Sequence, residues 1–179
     1  MEKLKSLFFE ETLKNWHFNE IVRQSCMSRE RVNHYLNELL KIGFLKYVKP
    51  SNRMPYYTAN RESEQFRFEK KMYGINLLHE TGFFKYINSM PNIKTAIIFG
   101  SFSRGDFGKS SDVDLFVFGN TDGFEMVKFE GLIKKEIHLI AYNNVKLLKK
   151  ELDPNLIINI IKGFNIKGNL EPFEVRINA

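Results

Sequence analysis

Residues Ile97 to Gly119 read IIFGSFSRGDFGKSSDVDLFVFG. The apolar runs Ile97–Phe99 and Leu115–Phe118 enclose glycines, small hydroxyls, Arg104, Lys109 and the aspartates Asp112 and Asp114. Short apolar runs bounded by glycine read as buried strands. The segment is therefore a strand, a polar turn and a second strand, and its chemistry depends on what the turn and the aspartates hold.

A phosphate-cradling P-loop needs G-x-x-x-x-G-K-[ST] opening a helix. Gly108, Lys109 and Ser110 are in place, but Ser103 stands where the first glycine belongs. The following SDVDLFVFG is a strand, so no helix N-terminus follows the lysine to receive phosphates. The P-loop reading fails on both counts.

The aspartates read better. Spaced i and i+2 in a strand, Asp112 and Asp114 share one face, about 7 Å apart along the backbone, while Val113, Leu115 and Val117 point the other way. Two carboxylates on one face suit a hard cation, most naturally Mg²⁺. Two such ions about 4 Å apart are a known device for phosphoryl and nucleotidyl transfer. Gly100 lets the backbone approach a phosphate, and Ser101 adds a hydroxyl and an N–H. Arg104, one short turn on, is placed to meet a triphosphate.

The arrangement apolar–Gly100–Ser101, ten residues, then Asp112–apolar–Asp114–apolar resembles the signature of the DNA polymerase beta-like nucleotidyltransferase superfamily. The longer run GSFSRGDFGKSSDVDLFV is most similar to its minimal nucleotidyltransferase branch. The likeness covers residues 93–179, with the motif itself confined to Phe99–Val117. It implies a small mixed sheet flanked by helices. It also implies Gly100 and Ser101 as nucleotide contacts and Asp112 and Asp114 as ligands of one or two Mg²⁺ ions, with Arg104 and Ser111 of the intervening turn as further candidate nucleotide contacts. The implied reaction moves a nucleoside monophosphate from a nucleoside triphosphate to a hydroxyl, releasing pyrophosphate. The branch includes antitoxins that modify a partner toxin, so a protein partner is compatible with it.

Members of that superfamily usually add a third carboxylate from a later strand. In KEIHLIAYN the corresponding position is His138, with Glu136 two residues earlier on the same face. A histidine can serve as general base or metal ligand, though it is a poorer Mg²⁺ ligand than a carboxylate. Three readings stay open: an enzyme with His138 as an unusual base, a nucleotide-binding domain without catalysis, or a site completed by a partner chain.

Outward from this stretch, the chain divides into residues 1–60, 61–92 and 93–179. The first segment has three helical patterns. Leu4, Leu7, Phe8 and Leu13 form one, and Phe18, Ile21 and Val22 the next. The third starts after Ser28, a candidate N-cap, with Val32, Tyr35, Leu36, Leu39, Leu40 and Ile42 on one face and Gly43 as its stop. FLKYVKPSNRMPYYTAN then alternates as a hairpin turning between Pro50 and Pro55. Residues 61–90 read as a helical connector with a break near Gly82, closed by Pro91. Beyond it, GFEMVKFEGLIKK, VKLLKKEL and PNLIINIIKG read as helices and EIHLIAYN as a strand, while FNIKGN carries no functional signal and the tail NLEPFEVRINA is ambiguous.

Three helices followed by a basic hairpin resemble a winged helix-turn-helix domain, in which the third helix enters the major groove and the wing touches the backbone. Arg29, Arg31, Asn33 and His34 would then face DNA from the third helix. Lys46, Lys49 and Arg53 would contact phosphates from the wing. A protein-interaction module and an unrelated small helical domain are the alternatives. The fold class expected for the whole is α+β, a winged helix-turn-helix followed by a nucleotidyltransferase fold.

Composition agrees. The 179 residues carry a formal net charge of +6 and a pI near 9.3, which favours polyanionic partners such as nucleotides or DNA over a merely basic surface. The single Cys26 excludes an internal disulfide or a multi-cysteine zinc site, and His17, His34 and His79 have no zinc-ligand spacing. MEKLKSLFFEETLK reads as an amphipathic helix rather than a signal peptide. No apolar run approaches the roughly 20 residues that span a bilayer. The expectation is a cytoplasmic protein without membrane association, compatible with a homodimer. Trp16 and Phe18 read as core residues rather than ligand stackers.

Overall fold

The computed structural model describes residues 1–173, so the end of the ambiguous tail, residues 174–179, lies outside the described residues. Two compact units are formed, Met1–Tyr73 and Gly74–Ala179.

In the first unit, helices α1 (Glu2–Glu10), α2 (Phe18–Ser25) and α3 (Arg29–Lys41) precede an antiparallel hairpin of β1 (Leu45–Val48) and β2 (Tyr56–Ala59). Ser28 caps α3 by accepting the Arg31 N–H at 3.3 Å, which satisfies one of the donors a helix start leaves without a partner. Gly43, at φ +70°, ends the same helix. Leu4, Phe8, Phe9, Ile21, Val32, Leu36, Leu39 and Phe44 are buried in one core, joined by Phe66 of α4 (Glu64–Glu80). Trp16 lies in that core and Phe18 packs against it. Trp16 also exchanges backbone hydrogen bonds of 2.8 Å with Tyr57, tying the approach to α2 onto the hairpin.

Two apolar positions depart from their helical expectation. Leu13 lies beyond the end of α1 and is 75 % exposed, and Ile42 caps α3 in solvent. Both fall where the helix has already ended, so their spacing no longer places them on its inner face.

In the second unit, Gly82 adopts φ +77° between α4 and α5 (Phe83–Ser89). There follow β3 (Ile93–Phe99), α6 (Gly100–Arg104), β4 (Val113–Gly119), α7 (Met126–Ile133), β5 (Ile137–Tyr142), α8 (Val145–Glu151), α9 (Pro154–Ile161) and β6 (Phe164–Lys167). The sheet order is β5-β4-β3-β6. β3 is antiparallel to β4 and β6, whereas β4 and β5 are parallel, as the α7 crossover between them requires. The edge strand β6 comes from FNIK, which has no hairpin partner in the neighbouring sequence and pairs instead with the distant β3.

The central strands are apolar on both faces because both faces are covered. Ile97, Phe99, Phe116 and Phe118 pack with Leu148, Leu152 and Ile160 of α8 and α9, and each such burial contributes about 1.5–3 kcal/mol. On the opposite face Ala96, Ile98, Leu115 and Val117 are also fully buried. Asp114 shares the face of Phe116 and Phe118 by strand alternation. The acidic positions therefore lie at the end of a covered face, where the apolar residues stop. No helix among the described residues is long and apolar enough to cross a membrane.

Candidate functional site

Asp114 is the centre of the arrangement. It pairs in register with Phe99 across β3 and with His138 across β5. Its side chain is 28 % exposed, and its Oδ1 lies 3.3 Å from Nδ1 of His138, whose ring is 65 % exposed. The other oxygen, Oδ2, occupies the space above Gly100. A Cβ built on Gly100 would come within 2.0 Å of it, and Gly100 itself has φ +66°. Both facts restrict position 100 to glycine.

Asp112 is exposed and stands just before β4 rather than within it. The Val113 N–H donates to the Glu136 carbonyl at 2.9 Å, and Val113 pairs with Ile137. Continuing that register by one residue sets Asp112 beside Glu136, as Asp114 is beside His138. Backbone register thus brings the start of β4, with Asp112 and Asp114, beside the start of β5, with Glu136 and His138.

The turn between the strands is not an extended linker. Its first part is the five-residue helix α6, which opens at Gly100 and ends at Gly105 with φ +79°. The Gly105 and Asp106 N–H groups donate to the Ser101 carbonyl, and the Ser103 hydroxyl donates to the Gly100 carbonyl at 3.0 Å. Phe102 and Phe107 stack with centroids 4.3 Å apart. Gly74 lies against them, since a Cβ there would meet Phe107 at 2.7 Å. Arg104 is engaged locally, its Nε 3.0 Å from Asp106. Ser111 accepts the Gly108 N–H on Oγ at 2.8 Å.

Sequence reasoning missed one contributor. Lys135 Nζ donates to the carbonyls of Gly108 (3.0 Å), Lys109 (2.8 Å) and Ser111 (3.3 Å). A lysine between a helix and a strand carries no motif, so only the fold brings it to this loop.

Asp112 and Asp114 supply oxygen donors of the type taken by a Mg²⁺ ion that keeps waters and binds substrate phosphates. The glycine opposite Asp114 Oδ2 leaves that oxygen the room a side chain would take. Among the described residues no group of three or more His, Cys, Asp or Glu side chains forms an all-protein cage for a metal.

The candidate DNA-facing residues divide in two. Arg31 and Asn33 are exposed on the first turns of α3, and Lys49 and Arg53 are exposed in and around the hairpin turn. Arg29 instead donates to Asn19 at 2.9 Å and lies over the Phe18 ring, and His34 Nε2 sits 3.4 Å from Glu38. Lys46 donates to Glu62 at 2.7 Å and thereby holds that carboxyl below the usual carboxylate range.

Residues 83–168 match the family model described as polymerase beta, nucleotidyltransferase. No curated protein matches the sequence. Among solved structures, the chain is similar to a mutant of the toxin–antitoxin pair MntA–HpeT, at 17 % identity over 59 % of this chain and 78 % of that one, with a TM-score of 0.36. It is likewise similar to a toxin–antitoxin structure with AMP-PNP, at 20 % identity over 60 % of this chain and 78 % of that one, with a TM-score of 0.36. The family match falls within the second unit, whose fold is nucleotidyltransferase-like.

Proposed function

We propose that the second unit binds a nucleoside triphosphate with Mg²⁺ and transfers its nucleoside monophosphate to a hydroxyl acceptor, while the first unit docks on DNA as a winged helix-turn-helix. The observation that carries the catalytic half is Asp114, fitted over Gly100 on one side and hydrogen-bonded to His138 on the other. The family match over residues 83–168 supports it.

Asp112 and Asp114 would hold Mg²⁺, which when bound supplies charge neutralisation at the phosphates. Gly100 and Ser101 would receive the phosphates, with Arg104 and Ser111 on the adjoining loop. The acceptor oxygen bonds to the α-phosphorus, the bond from that phosphorus to the bridging oxygen breaks, and pyrophosphate leaves. The acceptor proton goes to His138. In that role Nδ1 would carry the ring hydrogen toward Asp114 Oδ1, 3.3 Å away, and Nε2 would offer its lone pair. Asp114 would thus fix the tautomer that makes His138 a base.

For the first unit, the exposure of Arg31, Asn33, Lys49 and Arg53 supports the docking reading. Arg29, His34 and Lys46 would join once their local partners are exchanged for phosphate. The lone Cys26 suits a reducing, cytoplasmic setting.

A second reading is a nucleotide-responsive DNA-binding regulator without transfer activity. What favours it is His138 opposite Asp114 where a third carboxylate would complete the metal site. Incubation with labelled nucleoside triphosphate, Mg²⁺ and protein, nucleic-acid or small-molecule acceptors separates the two. Transfer that disappears in Asp112→Ala/Asp114→Ala supports the enzyme. Transfer that persists in the double variant removes these residues from the chemistry, and binding without transfer selects the regulator.

A further inference from the structure

We infer that Lys135 is the positioning residue of this site: its ammonium holds the 108–111 loop, and with it Asp112, in the shape that receives the nucleotide. The inference rests on the function proposed above.

An ammonium has three N–H donors. Those of Lys135 have three main-chain acceptors within reach, the carbonyls of Gly108, Lys109 and Ser111. Gly108 and Ser111 are also the two ends of the loop's own turn, joined by Ser111 N–H to Gly108 O at 3.2 Å and Gly108 N–H to Ser111 Oγ at 2.8 Å. The next residue is Asp112. One side chain therefore gathers both ends of the turn that delivers the first carboxylate. Hydrogen bonds to a charged group are stronger than neutral ones, so this lysine ties the loop firmly to the α7–β5 connection.

The lysine is itself held. Lys134 adopts φ +58° and ψ 40° without being glycine, a left-handed conformation that L side chains rarely take. The Lys134 and Lys135 N–H groups both donate to the Glu130 carbonyl, at 2.8 and 3.3 Å. The Glu130 carboxylate accepts the Ile137 N–H at 2.9 Å. The turn is thus fixed at its helix end and at its strand end, with Lys135 between them. Its ammonium also lies 5.7 Å from the Phe102 ring, whose stacking partner Phe107 opens the loop. The three main-chain bonds make Lys135 a residue that acts on the loop.

The test uses the full chain in a Cys26→Ser background, so that only one thiol is introduced. Lys135→Cys removes the ammonium, and aminoethylation of the introduced thiol restores one at nearly the same reach. Amide hydrogen exchange and titration with Mg²⁺ and a non-hydrolysable nucleoside triphosphate analogue are read before and after alkylation. The expected result is exchange about tenfold faster over residues 108–112, with Ile97 and Phe116 changed less than about twofold. Analogue affinity should fall about tenfold, with both effects reversed by aminoethylation. Should the cysteine variant fail to fold, Lys135→Met, which keeps the aliphatic stem, carries the same two measurements. Unchanged loop exchange, unchanged affinity despite a loosened loop, or no recovery on alkylation each overturns the inference. Absence of analogue binding by the Cys26→Ser parent and the wild-type chain overturns the proposed function instead, and loop exchange then still decides whether Lys135 holds the loop.

Discussion

Asp114 and His138 stand directly opposite each other in the parallel register of β4 and β5, with the imidazole Nδ1 3.3 Å from the carboxylate Oδ1. The pairing gives the carboxylate two different neighbours, an imidazole for one oxygen and the bare backbone of Gly100 for the other. Each neighbour can be altered separately.

Replacing Gly100 by alanine should damage the site from the backbone side. The new methyl would lie 2.0 Å from Asp114 Oδ2 at φ +66°, so the carboxylate must turn and the backbone is strained. A stability loss of about 1–2 kcal/mol from the left-handed conformation alone is expected, together with loss of nucleotide binding. Thermal unfolding and analogue titration check both; an unchanged affinity would remove Gly100 from the site.

His138→Asn should leave nucleotide binding nearly intact, because the amide can still donate to Asp114. It should lower the rate of label transfer about 100-fold through loss of the base. Steady-state measurement of kcat and KM separates these effects. A rise in KM at constant kcat would assign His138 to binding alone.

In the first unit, Arg31→Ala should weaken DNA binding similarly across sequences and reduce the slope of log affinity against log salt by about one. Arg29→Ala should do less, since its guanidinium is shared with Asn19 and Phe18. Fluorescence titrations at several salt concentrations provide the comparison, and salt-insensitive binding would contradict phosphate contact.

Ser28→Ala should cost about 1 kcal/mol in urea unfolding by removing the cap of α3. Glu30 adds a pH signature. Its own backbone N–H and the Ser28 hydroxyl hold its carboxyl below the ordinary value. A depressed folded pKa stabilises above the unfolded value, and that contribution is lost as pH falls through the folded one. The difference between wild type and Ser28→Ala should therefore be smaller below about pH 4 than at neutrality.

How much of this was legible depends on how locally each feature is encoded. Ser28 and Gly43 mark the ends of α3 through short-range chemistry, and both appear in sequence as they do in the fold. Gly100, Asp112 and Asp114 could be singled out because a glycine and two acids interrupt apolar runs. Leu13 and Ile42 misled because periodicity does not announce where a helix stops. β6 and Lys135 were invisible for a different reason. A four-residue edge strand takes its identity from β3, and a lysine aimed at three carbonyls takes its role from a loop more than twenty residues away. The opposition of Asp114 and His138 needed the parallel register, which no local pattern specifies.

The double-sided burial of β4 has a consequence for folding. Val113, Leu115, Phe116, Val117 and Phe118 are all buried, so alternation of apolar and polar residues gives that strand no preferred alignment. A slip of one residue would exchange its two faces and find acceptable hydrophobic company almost everywhere. The exception is Asp114, which would be carried among the apolar residues of the other face at the cost of an ionised group withdrawn from water. The carboxylate thus serves as the strand's address label, and a change that neutralises it should loosen the alignment of β4 as well as any chemistry performed there.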